Sequence, residues 1–389
     1  MRKARNVTSR QLSALLLTCT LLAACTDSES GTKSRAIQEL EVQLREVLLL
    51  GGGASASSEY LFGTPRFVVT DAQGHIYVAD EAVMNIRVYG TSGQYIRTLG
   101  QRGRGPMEFR SFRGLAINQD QELIALDRSN ARITRFSTEG QLLSTHSWLR
   151  WATAIIRPFR EGYLFLSHQT SKPGEIDHLF RIYGAGFEQA TVTFGSTGEI
   201  VNPTNKIETS TLTSEPGSFV FMEGGVLYAP ALYEGKLYMY TERQEQWHQT
   251  RTISGFVEKR AYTEVKNPVI YENADLVIRY AGTEKGARLH NTSLGLFRLQ
   301  NDRIVHFTFA EFGEERFFGV EVFDGNGQLT GYGAIEKVPL VAQGIANLFL
   351  DIVWKDELDR FYIVDRTDEP VIRVVELEYH PADMTQGAP

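Results

Sequence analysis

The sequence predicts an all-β fold built by repeating a unit of antiparallel strands, and three observations carry that reading. Displaced by 47 residues, the chain matches itself without a gap. Phe67–Ile96 falls on Gly114–Leu143, with identities at Asp80/Asp127, Ile86/Ile133, Thr91/Thr138, Gly93/Gly140 and Gln94/Gln141. Within each copy, short runs of alternating apolar residues are separated by Asp/Asn/Gly turns, the period-2 pattern of strands in tight hairpins rather than the 3.6 period of helices. The 389 residues include 35 Gly but only 12 Pro, a balance that favours many tight turns. With 42% hydrophobic residues the chain can build a large core, which excludes disorder over most of its length.

The first segment lies outside the repeat. Arg2, Lys3, Arg5 and Arg10 precede the mostly apolar run Leu12–Ala24. That run is shorter than the ~20 residues a helix needs to cross a bilayer, and it has the length of a secretory signal. It ends Leu22-Ala23-Ala24-Cys25, which resembles a bacterial lipobox. The resemblance implies cleavage of residues 1–24, a diacylglycerol on Cys25, and lipid anchoring in a bacterial cell envelope. Thr26 rather than Asp follows the cysteine, which implies the outer membrane. Residues 25–36 read as a flexible tether. Cleavage removes four basic residues and no acid, so the net charge falls from −7 to −11. With no Lys/Arg block in the chain, a nucleic-acid partner is not expected. The other cysteine, Cys19, leaves with the signal, so disulfides and thiol chemistry are excluded from the folded part.

A third copy of the repeat, Val353–Val375, places Asp356, Phe361, Asp365, Val371 and Val374 on Asn118, Leu123, Asp127, Ile133 and Phe136. The run Asp127-x-x-Asn130-x-Arg132-Ile133-x-x-Phe136 resembles the blade core of NHL-repeat propellers. Asn85 and Pro370 stand where the other two copies would carry Arg132. Gly103-Arg104-Gly105-Pro106-Met107-Glu108-Phe109 resembles the inter-blade loop of six-bladed β-propeller bacterial lipoproteins, which usually carry Gly at the place of Met107. The resemblance covers residues 60–148 and 345–377. It implies a β-propeller of four-stranded antiparallel blades.

Between those segments, alternation alone places further blades at 153–195, 219–255 and 294–335. Residues 256–292 contain Asn267-Pro268 and Ala281-Gly282 but no recognisable hairpin pair, and read as an insertion or lid. This parse gives six blades over residues 37–380, followed by a tail at 381–389. The spacing of 238 residues from Asp127 to Asp365 leaves seven as the alternative. Leu99-Gly100 and Phe194-Gly195 end outer strands with a Gly suited to positive φ. Leu50-Gly51 repeats that ending with no blade before it, so Glu41–Leu50 is expected to close the last blade as its outer strand. An amphipathic helix over Ile37–Leu50 is the alternative.

The recurring Asp80, Asp127 and Asp365 are expected to be structural, with Asp127 paired to Arg132 across a turn. Asp71, Asn118 and Asp356 sit where Asx side chains cap hairpins. Asp324-Gly325-Asn326-Gly327-Gln328 reads as a Gly-rich hairpin, because a calcium loop needs Glu where Ile335 stands. Arg102, Arg104, Arg110 and Arg113 form a candidate anion-binding rim at one channel mouth. There is no GxSxG, P-loop, GxGxxG or HExxH, so no catalytic residue, metal or cofactor is assigned. His75, His168 and His306 are the histidines that an assembled metal site would use. The expected function is a non-catalytic module binding an unknown protein, peptide or glycan. A metal-dependent lactonase- or lyase-like propeller enzyme at the central channel is the alternative, and a purely structural envelope component is a third possibility.

Overall fold

The structure, a computed structural model, describes residues 37–52, 57–148, 155–167, 177–202, 204–257, 260–266, 277–279, 285–312, 315–335, 350–366 and 369–382. Cys25, the tether, His168, Asn267-Pro268, Ala281-Gly282 and residues 383–389 lie outside them.

Among the described residues, the strands sort into six four-stranded blades. Blade one is Pro65–Thr70, Ile76–Asp80, Asn85–Tyr89 and Tyr95–Leu99, and blade two is Phe112–Ile117, Glu122–Asp127, Arg132–Ser137 and Leu142–Ser147. Blade three is Ile155–Phe159, Gly162–Leu166, His178–Gly184 and Ala190–Ser196, and blade four is Ser218–Met222, Gly225–Ala229, Lys236–Arg243 and Gln246–Ser254. Blade five is Thr292–Arg298, Ile304–Phe312, Glu315–Phe323 and Leu329–Ala334. Blade six takes Leu350–Lys355, Arg360–Asp365 and Val371–Pro381, and its outer strand is Gln38–Gly51. Six blades replace the alternative of seven, and the N-terminal segment is a strand, not a helix. The spacing overcounts because the excess chain lies in inter-blade links.

Burial explains the pattern of each strand. The second strands Ile76–Asp80 and Gly225–Ala229 are buried at every position because both faces meet neighbouring blades. The outer strand Leu142–Ser147 is half- or fully exposed throughout. The apolar side chains gather into one cluster between each pair of consecutive blades. The core is therefore a ring of six interfaces rather than a single centre.

Closure depends on one irregularity. Leu40, Val42 and Leu44 enter the cluster between blades five and six, whereas Leu50 enters the one between blades six and one. All four have even numbers, so a regular strand would point them to one side. The register shifts between Glu46 and Leu48, leaving Val47 as an extra residue. A bulge of this kind reverses the side-chain phase, so one strand can fill two interfaces. A short parallel pairing, Gln38 with Gly331 and Glu39 with Tyr332, also ties this strand to blade five.

Gly51, Gly100 and Gly195 all sit at positive φ (89°, 71° and 72°) at or beside the ends of their strands, as their shared sequence context predicts. Met107 is also left-handed, at φ 58°, at the position where the resembled loops carry Gly. A side chain there costs on the order of 1–2 kcal/mol of backbone strain, and the Met107 side chain offsets part of it by packing against the cluster between blades one and two.

The antiparallel order gives the disc two unlike faces. First-to-second and third-to-fourth strand connections emerge on one side as tight turns, here called the turn face. Second-to-third connections and all inter-blade links emerge on the other, the loop face. Two additions decorate the loop face. The helix Lys206–Ser214 in the link from blade three to blade four is capped by Asn205, whose side chain accepts from the Ile207 and Glu208 amides. Sequence patterning did not anticipate it. The insertion at 256–292 was expected to lack hairpins, but Tyr262–Lys266, Val277–Arg279 and Lys285–Leu289 form a three-stranded antiparallel sheet. Its apolar positions are too few and too widely interrupted to show period-2 alternation.

Candidate functional site

The helix and the small sheet meet over blades four and five. Ile207 packs with Ala287, Leu289 and Phe309, while Leu212 enters the cluster between blades three and four. Tyr262 of the sheet donates to Glu208 of the helix at 2.7 Å and receives a bond from the Asn205 amide at 2.6 Å. Together they roof a cavity of about 80 Å³. Its walls combine apolar groups such as Ile200, Val201 and Leu232 with Glu208, Glu215, Glu234 and one cation, Lys236.

Among the described residues, two contacts cross the channel. Near the loop face, Arg66 of blade one lies 3.9 Å from Glu215, which precedes blade four on the opposite side of the ring. Arg66 and Arg113 both also contact Glu81, at 3.3 and 2.7 Å. Toward the turn face, Arg157 of blade three stacks over the indole of Trp354 in blade six, 4.8 Å from the ring centre. Trp354 is held by a bond from its indole nitrogen to Thr70 of blade one at 2.9 Å.

A third constellation crosses blade five. Ser293 Oγ lies 2.9 Å from His306 Nε2, and His306 Nδ1 lies 2.8 Å from Glu321 Oε2. His306 and Glu321 are wholly buried. Glu321 also accepts from Tyr233 and from the Phe256 amide, each at 2.7 Å. Burial and the adjoining Glu321 charge push the Tyr233 hydroxyl far above its usual range, so it remains a donor. The three residues come from successive strands, 13 and 15 positions apart. No linear motif marks them, and only the strand register would have brought them together.

The blade motif does something other than what its sequence suggested. Asp127 is not paired with Arg132. Its carboxylate accepts from the backbone amides of Arg110 (2.9 Å), Ser111 (3.0 Å), Ser129 (3.1 Å) and Asn130 (3.3 Å), and from the Asn130 side chain (2.7 Å). Arg132 donates to the carbonyls of Arg104, Gly105 and Glu108. The motif thus clamps the 103–111 loop by taking its amides at one end and its carbonyls at the other. Asp80 works alike on Gly63, Thr64 and Ala82, with Arg87 3.6 Å away. Asp365 accepts from Arg373 at 3.0 Å.

Of the four rim arginines, Arg102 donates to the Ala82 carbonyl, Arg110 to that of Ser129, and Arg113 to Glu81 and to the Phe112 carbonyl. Arg104 is exposed. Asp71, Asn118, Asp324 and Asp356 cap turn-face hairpins through amides two or four residues on. His75 is bound to Asp71 on the turn face, whereas His306 lies inside blade five. Among the described residues, no three His, Cys, Asp or Glu side chains group as metal ligands.

Comparison with known proteins agrees with this architecture. A member of the DUF4221 family from Bacteroides vulgatus superposes with a TM-score of 0.56 at 11% identity, covering 88% of this chain and 99% of the other. A protein from Bacteroides fragilis superposes with a TM-score of 0.52, also at 11% identity, covering 90% and 98%. At such identities the likeness concerns the fold alone. No protein of curated function matches the chain. The signature of DUF5128, a 6-bladed beta-propeller family, matches residues 57–273, more than half of the chain, and the protein belongs to that family.

Proposed function

We propose that this protein is a lipid-anchored envelope propeller of NHL type whose loop face binds a basic side chain of a peptide or protein partner, without metal-dependent turnover. The observation that carries the reading is the roofed cavity beside blade four. Pockets that enclose whole small molecules run to roughly 300–1,000 Å³, so about 80 Å³ suits one side chain of a larger partner. Three carboxylates against one ammonium favour a cationic tip, and Ile200, Val201 and Leu232 suit its aliphatic stem. The lipobox resemblance at Leu22–Cys25 and the net negative mature chain support the anchor and the sign of the partner.

One preparation tests both halves. Cys25→Ala is expected to move the protein from the membrane to the soluble fraction and to abolish fatty-acid labelling. The released protein, on an array of Lys- and Arg-containing peptides with acidic controls, is expected to bind basic peptides. Substituting Glu215→Ala and Glu234→Ala, both on exposed positions, is expected to weaken that binding at least tenfold. Equal binding of acidic peptides, or retention of label on the Cys25→Ala chain, would contradict the proposal.

A second reading rests on the Ser293–His306–Glu321 chain, whose bonding order is that of a serine nucleophile, its base and an orienting acid. A fluorophosphonate probe tests it. Labelling that Ser293→Ala removes would favour acyl transfer at this position. Absence of labelling would leave the chain as a structural tie between blade five and the Phe256–Val257 link.

A further inference from the structure

Among the described residues, Arg157 is a charged group without a charged partner. Its Nη1 donates to the neighbouring Ile156 carbonyl at a long 3.4 Å, its guanidinium carbon lies over the Trp354 ring, and among the described residues no carboxylate pairs with it. The contact that covers it crosses the ring. Blades three and six are opposite members of six, so their side chains can meet only by projecting from both sides into the channel. Arg157 keeps partial solvent access although protein surrounds it. Burial alone, with no neighbouring charge, pushes the guanidinium down to about 10. Four other buried or half-buried arginines of the ring each meet an acid: Arg87 lies beside Asp80, Arg113 meets Glu81, Arg135 meets Glu122, and Arg373 meets Asp365.

A guanidinium removed from bulk water and left unpaired is strongly disfavoured, and proteins compensate such a group with an anion or a hydrogen-bonding network. Arginine offers a planar fork of donors that matches oxyanions edge-on, while an aromatic ring can cover its face without using those donors. Here the Trp354 ring covers the guanidinium, and among the described residues no acid takes its donors.

We propose that the channel holds a small oxyanion, a carboxylate or a phosphate, bound edge-on by Arg157 on a floor formed by Trp354. The site is independent of the roofed cavity, because it lies on the ring axis and uses none of the cavity's lining residues. Its ligand has the opposite charge, so the two readings can fail separately.

The test uses the full-length chain in non-ionic detergent and salt-free HEPES buffer, titrated separately with acetate, phosphate and chloride. Tryptophan fluorescence and melting temperature are followed, with Trp354→Phe isolating the signal of that indole. At least one of acetate and phosphate is expected to saturate at a single site, and the two arms distinguish a carboxylate from a phosphate ligand. Arg157→Met is expected to weaken that binding at least tenfold and to melt no lower than the native chain when anions are absent, because the variant removes an uncompensated charge. Arg157→Lys, which keeps the charge but loses the fork, is expected to bind several-fold more weakly, and it serves if Arg157→Met does not fold. Parallel responses in the native chain and Arg157→Met, unchanged affinity in Arg157→Lys, saturation by chloride alone, or no saturable response would each overturn the proposal.

Discussion

Deleting Gln38–Gly51 is expected to abolish the cooperative unfolding transition of the whole ring, not to fray one end. The strand buries Leu40, Val42, Leu44 and Leu50 in two different inter-blade clusters. At about 1.5–3 kcal/mol for each buried aliphatic side chain, their loss removes about 6–12 kcal/mol, against a typical domain stability of about 5–15 kcal/mol. The deletion also bares the edge of Val371–Pro381, which pairs with the lost strand from Leu40–Pro381 to Gly51–Val371. A sharper variant removes Val47 alone. Without the bulge the phase no longer reverses, so the strand cannot supply both clusters. Urea unfolding followed by circular dichroism checks both variants. A transition of unchanged midpoint in the deletion would show that the strand is dispensable, and an unchanged midpoint without Val47 would remove the phase argument.

Asp127→Ala is expected to cost more than about 3 kcal/mol, and Asp80→Ala a similar amount. Both carboxylates are completely buried, and each accepts two backbone amides from the loop leading into its own blade. Bonds to a charged acceptor are each worth about 1.5–3 kcal/mol, and the stranded donors add a desolvation penalty. Arg132→Met should be milder, about 1–2 kcal/mol, because the outer part of its side chain reaches carbonyls near the surface. A double-mutant cycle separates the two geometries. Direct pairing, as the spacing of Asp127 and Arg132 suggested, would give a coupling of roughly 3–5 kcal/mol. The observed arrangement, in which they meet only through the 103–111 loop, predicts a smaller one. Midpoints in urea supply all four corners of the cycle.

The repeat was legible because propeller blades impose local rules. Alternation in Asn85–Tyr89 or Leu329–Ala334, an Asx residue at Asp71, Asn118 and Asp356, and a positive-φ Gly after Leu50, Leu99 and Phe194 each follow from a few neighbouring residues. The same locality set the limits. The three-stranded sheet at Tyr262–Leu289 and the helix Lys206–Ser214 are stabilised by each other and by blade five, through Ile207, Leu289 and Phe309. Their own patterning is weak because tertiary contacts, not propensity, hold them.

By itself, the sequence determined that the chain alternates into antiparallel blades, that three copies of the repeat carry an Asp at one position, and that residues near 41–50 have a strand's ending without a blade of their own. Only the tertiary structure decided that the ring has six members, that Asp127 and Arg132 clamp a loop from opposite polarities, and that Arg157 and Trp354 meet across the axis. It also decided that Ser293, His306 and Glu321 form one bonded chain. The physical reason is range. Strand period and turn chemistry act over two to five residues and can be read along the chain. A register shift, a cross-ring stack or an inter-strand relay joins residues 13 to 197 positions apart, and such contacts exist only once the closed ring has brought them together.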